Sequence, residues 1–240
     1  MTPRRRVGPW QPATPDLDLS VLAIGQLDRG TGGRRPAGGQ PAGRQPRVVR
    51  GTVEDLSAAL AAGDPDGGGL AGATIDSTVL AGTRVLGGEA AGLRLRDVLI
   101  DQGVLAGVVI DGGGGTRIQI TGGRVSGTVW IRGEFHDLVL DQVRADGVTL
   151  RSCRLHRARF TGCDLSGLDL TGTRLDHVRF EDCTLNGAVF TGVTITAAAF
   201  HGCRFDGAVG VHGLAGAEVD ADSVMTLVGP MAAALAISVV

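Results

Sequence analysis

The sequence predicts an all-β solenoid, and three observations predict it. From Val148 onward the chain falls into fives with Leu, Ile or Phe in the third place: Leu150, Leu155, Phe160, Leu165, Leu170, Leu175, Phe180, Leu185, Phe190, Ile195, Phe200 and Phe205. All six Phe of the chain stand on multiples of five, and all four Cys (Cys153, Cys163, Cys183 and Cys203) stand two before one. At about one chance in five each, those ten placements are roughly ten million to one against chance. The same register runs back through Leu70, Ile75, Leu80, Val85, Leu95, Ile100, Leu105, Ile110, Ile120, Val125, Trp130, Phe135 and Leu140.

A period of five fits neither a helix at 3.6 nor a flat strand at 2. Inward residues spaced two, then three, suit a chain that runs extended and bends once per five. A repeat this short buries its apolar face only on neighbouring repeats. Gly often takes the fifth place, where a bend favours a residue without Cβ.

The fives CDLSG, LDLTG and ARFTG resemble the A(D/N)LXX motif of pentapeptide-repeat proteins. The resemblance implies a right-handed quadrilateral β-helix, with four fives per coil and twenty residues per turn. The central Leu or Phe and the small residue two before it point inward, and the other three face solvent. The register then spans about 140 residues, or roughly seven coils, and at ~4.8 Å per coil a rod ~35 Å long. Three centres break the pattern, Ala90, Gly115 and Ala145, and each is expected to leave a void. Phe135 is expected to lean into the gap at Gly115, and the large Trp130 to distort its coil.

Four segments follow. Residues 1–51 read as a disordered Arg/Gly/Pro-rich tail. Its first fifty residues carry nine Arg against three Asp, a surplus of six positive charges. That tail is the one place where nucleic acid or an acidic surface would be contacted; a solvated tail is the plainer expectation. Arg4–Arg6 precede no apolar run, so they are not read as a secretory signal. Residues 52–67 predict a short cap helix, with Thr52 as N-cap, Glu54 and Asp55 in the first turn and Gly63 at its end. Residues 68–219 are the repeat body. Residues 220–240 predict a C-terminal capping helix, N-capped by Asp220 and kinked or split by Pro230. Its face of Val224, Leu227, Val228, Met231 and Leu235 is amphipathic. In some members of the resembled family the terminal helix forms the dimer contact, so a homodimer through this face is implied. Pro230 and the shortness of the segment argue against a membrane span.

No chemistry-bearing set is expected. Cys163, Cys183 and Cys203 lie twenty apart and stack in one column, within disulfide range. They read as small inward residues in a reducing cytoplasm, and no CxxC pair supports zinc. His136, His156 and His177 share an outer face with Glu134, Asp137 and Asp176. Arg154, Arg157 and Arg174 lie there too, and a rod face offers no concavity. They read as a solvated mixed-charge patch, with no metal and no cofactor. Gly112–Gly115 lacks the GxxxxGK pattern of a phosphate loop. An enzyme is not expected.

Two functions remain. One is a non-enzymatic, cytoplasmic protein-interaction rod or scaffold with an unidentified protein partner. The other comes from the resemblance, since some pentapeptide-repeat proteins mimic B-form DNA, bind DNA gyrase and protect it from quinolones. DNA carries one negative charge per ~1.7 Å of axis, so seven coils would call for ~20 net negatives. Residues 68–240 hold 18 acidic residues and 14 Arg, a net of −4. The charge balance therefore favours the scaffold. All 23 basic residues are Arg, which reads as the codon usage of a GC-rich bacterium, and the layout resembles uncharacterised pentapeptide-repeat proteins of actinomycetes.

Overall fold

The computed structural model describes residues 71–237 and the backbone of Val48–Val49. The expected cap helix at 52–67, Leu70 and nearly all of the expected tail lie outside the described residues. Two residues of the stretch read as tail form β1, Val48–Val49, which pairs in parallel with the first long strand, Val48 opposite Thr74.

Each coil is built from one eight-residue strand and two shorter sides. The long strands are β2 (Thr74–Ala81), β5 (Arg94–Asp101), β8 (Gly114–Thr121), β11 (Glu134–Asp141), β13 (Arg154–Thr161), β14 (Arg174–Glu181) and β15 (Thr194–His201). Seven such strands mean seven coils. The short sides begin as β3 (Arg84–Leu86), β4 (Glu89–Ala91), β6 (Val104–Ala106), β7 (Val109–Asp111), β9 (Arg124–Ser126), β10 (Val129–Ile131) and β12 (Thr149–Arg151). Further on they continue as single parallel bridges, such as Asp164 with Thr184 and Val189 with Val209. All but one of these pairings between successive coils join residues twenty apart, as the fives require.

Two fives merge into each of the first six long strands because its fourth residue is left-handed. Ser77, Asp97, Arg117, Asp137, Arg157 and His177 have φ between 49° and 57°. This bend resets the inward–outward alternation. In β14, Leu175, Val178 and Phe180 are buried, while Asp176 and His177 both turn outward. Two adjacent residues on one face of a strand are otherwise forbidden by its period of two.

The centres fill the rod. Eleven of the twelve from Leu150 to Phe205 are buried, as are the four Cys. Ile195 differs and is half-buried. Above it β16 (Glu218–Val219) covers only Ala199 and Phe200, and β15 slips by one residue so that Asp176 faces Ala197. Phe160, Phe180 and Phe200 stack at 4.7 Å with interplanar angles of 6° and 2°. The earlier coils, centred on smaller residues, enclose an apolar cavity of ≈130 Å³. Ala145 lies on its wall, whereas Ala90 and Gly115 do not.

Two packing expectations are corrected. The space at Gly115 is taken by Ile118, whose Cδ1 would lie 2.2 Å from a Cβ added there. Phe135 instead meets Trp130 edge-on at 4.8 Å. Trp130 does not distort its coil, because β10 keeps full register with β7 and β12. Gly133 makes the room: a Cβ there would stand 2.4 Å from the Trp130 ring. The indole N–H donates to the Gly112 carbonyl at 3.1 Å.

The last coil is closed by a 3₁₀ turn at Val211–Leu214, by β16, and by α1 (Ala221–Ala234). Pro230 lies inside α1 and the helix runs through it without splitting. The end of a solenoid leaves strand N–H groups unpaired. Here the first turns of α1 take them up. Asp220 accepts from Gly202 N–H at 2.7 Å while capping the helix at Ser223 N–H, 2.9 Å. The Ser223 hydroxyl accepts from Cys203 N–H at 2.7 Å, and Thr226 accepts from Phe205 N–H at 3.1 Å. Leu227 is buried against the core.

Candidate interaction surface and the histidine cluster

The small inward place carries a polar task that spacing alone does not reveal. Each Cys thiol donates to the carbonyl of the residue 23 positions earlier, on the preceding coil. The bonds run from Cys153 to Trp130 at 3.4 Å, Cys163 to Leu140 at 3.6 Å, Cys183 to Phe160 at 3.4 Å and Cys203 to Phe180 at 3.5 Å. Thr173 does the same with its hydroxyl to Leu150. All four Cys are free thiols. Burial pushes the Cys153 and Cys203 thiols up to about 11. Cys183 is pushed up too, first by its hydrogen bond with Cys163 and then by burial. Protonated thiols of this kind are inert structural groups.

The outer face of the long strands carries a ladder of ion pairs between coils. Asp76 is bound by Arg96 at 3.1 Å, Asp97 by Arg117 at 2.5 Å, and Asp137 by Arg157 at 2.7 Å. Each Arg comes from the next coil, twenty positions on from the Asp. On another side Arg151 holds Asp169 at 2.5 Å. The four carboxylates are nearly buried and their Arg partners are partly exposed. The acids therefore sit under guanidinium groups, and the charge shown to solvent is mixed.

On this face β13 and β14 bring His156, Asp176 and His177 together. His156 and Asp176 are register partners on adjacent coils. His156 Nδ1 lies 2.7 Å from Asp176 Oδ2, and His177 Nδ1 lies 2.9 Å from Oδ1. A carboxylate only accepts, so both Nδ1 atoms donate. Burial pushes the Asp176 carboxyl up, but the hydrogen bonds from the two His outweigh it and hold it below its usual range. Arg157 Nη1 faces His156 Nε2 at 3.3 Å while its own charge is engaged by Asp137. His136 stacks edge-on against His156 at 5.4 Å and meets Glu134 at 3.3 Å. Asp137 lies with Arg157 and not in this cluster. Asp176 and His177 share the outer face that the repeat implies for the two places after Leu175, and the left-handed bend at His177 is what puts them there.

The expected contact face of α1 is divided. Leu227 is buried, whereas Val224, Val228, Met231 and Leu235 are 40 %, 50 %, 49 % and 70 % exposed. Among the described residues no helix is long and apolar enough to cross a membrane.

The chain matches the family model of the pentapeptide repeat region over residues 133–209. Among solved structures it is similar to a pentapeptide repeat protein, Rfr23, from the cyanobacterium Cyanothece 51142. The identity is 16 %, over 56 % of this chain and 88 % of that one, with a TM-score of 0.29. It is similar to trypsin-treated QnrB1, a plasmid-mediated fluoroquinolone resistance protein, at 15 % identity over 70 % and 90 %, TM-score 0.22. It is also similar to HetL, a pentapeptide repeat protein involved in heterocyst differentiation regulation from Nostoc sp. strain PCC 7120, at 15 % identity over 62 % and 81 %, TM-score 0.20. No protein with a curated description matches. Superpositions this loose carry no functional argument. The repeat match and the twenty-residue register show that residues 133–209 carry a pentapeptide repeat region.

Proposed function

We propose that this chain is a non-enzymatic, cytoplasmic protein-interaction rod. The observation that carries the reading is the ladder on its outer faces. Asp76, Asp97, Asp137 and Asp169 are each covered by an Arg, so the rod does not present the regular anionic rows of a duplex backbone. The surface that suits a protein partner is the exposed side of α1, whose Val224, Val228, Met231 and Leu235 are apolar and unpaired among the described residues. A second copy of the chain is the partner that this face fits, and the dimer is part of the proposal.

The test is a DNA gyrase supercoiling assay with the intact protein, with and without a fluoroquinolone. No effect at tens of micromolar protein is expected. Inhibition or drug protection at low micromolar protein would make the rod a DNA mimic and overturn the charge argument. Sedimentation of the same sample at tens of micromolar reads the dimer, and a monomer there would remove that part.

A further inference from the structure

We propose that His156, Asp176 and His177 form a binding site for one zinc-class divalent transition-metal ion. Two imidazoles and one carboxylate are the donor types that borderline metals such as Zn²⁺ take, with water completing the shell. The ligand atoms of the three residues all lie within 4.8 Å of one another. Asp176 already sits between the two Nδ1 atoms, at 2.7 and 2.9 Å. Tetrahedral binding needs each donor about 2.0–2.2 Å from the ion, so small rotations of half-buried side chains suffice.

The backbone fixes this convergence. The register places His156 under Asp176, and the left-handed φ of 56° at His177 turns its ring to the same face as Asp176. The next coil opposes Asp176 with Ala197, so its side chain does not cover the site. The surrounding charge does not forbid a cation. Arg157 is the nearest guanidinium and Asp137 holds it with two bonds, at 2.8 and 2.7 Å. Coordination through Nδ1 requires the other tautomer, so the proton that each Nδ1 donates to Asp176 moves to Nε2 of the same ring. His156 then gives up its contact with Arg157, which remains anchored on Asp137.

Zn²⁺ alone, titrated calorimetrically into the full chain without a polyhistidine tag, tests the site. The expected result is one ion per chain, with a rise in unfolding temperature by mass action. Asp176→Asn, which keeps the shape but not the charge, should abolish both. His177→Ala should weaken uptake about tenfold or more, since loss even of an outer partner of a metal ligand costs ~10–100-fold. No uptake at ~100 µM Zn²⁺ would overturn the proposal, as that range is where a weak three-ligand site would fill. Unchanged affinity in both variants would overturn it as well, by placing the ion elsewhere, for instance on the thiols.

Discussion

Replacing Phe180 by Ala lowers the stability of the protein by about 3–5 kcal/mol, as for other fully buried Phe. Phe180 is wholly buried and stacked between Phe160 and Phe200, each 4.7 Å away and nearly coplanar with it. Truncation opens the middle of this column, and neighbouring coils cannot close on the gap without giving up their twenty-residue register. Phe180→Leu keeps most of the volume and should cost roughly 1–2 kcal/mol. Urea unfolding of the three proteins measures both. Near-equal midpoints for wild type and Phe180→Ala would mean that the stack does not hold the coils.

Gly114→Ala adds a single methyl and should cost at least about 3 kcal/mol. Its Cβ would stand 1.8 Å from the Glu134 carbonyl oxygen and 2.6 Å from Glu134 N, in the neighbouring coil. A φ of 139° at this position is in addition open almost only to Gly. Gly127→Ala is the control. It has a φ of 57° and nothing within 4 Å of the added Cβ, so it bears only the left-handed penalty of about 1–2 kcal/mol. The difference isolates the close approach of two coils. Equal losses in the two variants would remove that approach from the account.

The apolar frame of this rod was legible because the Leu and Phe centres repeat without interruption from Leu150 to Phe205. The N-cap at Asp220 was legible for a similar local reason. What the pattern could not show was which neighbour fills a given space. Gly115 is small, yet Ile118 occupies the gap. Trp130 is large, yet Gly133, three residues on, yields to it. A motif that separates inward from outward also hides polar work done inside. The thiols of Cys163, Cys183 and Cys203 satisfy carbonyls of the coil below. The D-x-x-S-x-x-T spacing of Asp220, Ser223 and Thr226 was the available signal for how the last coil is closed, since one helical face carries all three. The register placed Asp176 and His177 on one outer face, but the bend that puts them there had no residue signal, since residues as different as Ser77, Arg117 and Asp137 also adopt it.

All of these features rest on one claim, that residues twenty apart lie side by side on successive coils. The side carrying β3, β6 and β9 joins residues 84, 104, 124, 144, 164, 184 and 204 in unbroken parallel register. Arg84 and Arg204 are exposed and stand six coils apart on it. Spin labels on Arg84→Cys and Arg204→Cys, with the four native thiols buried, read that separation by pulsed electron paramagnetic resonance. The account predicts one narrow distribution centred near ~29 Å, six steps of ~4.8 Å. A broad distribution, or a centre displaced by more than about two coil steps (~10 Å), would contradict the twenty-residue coil.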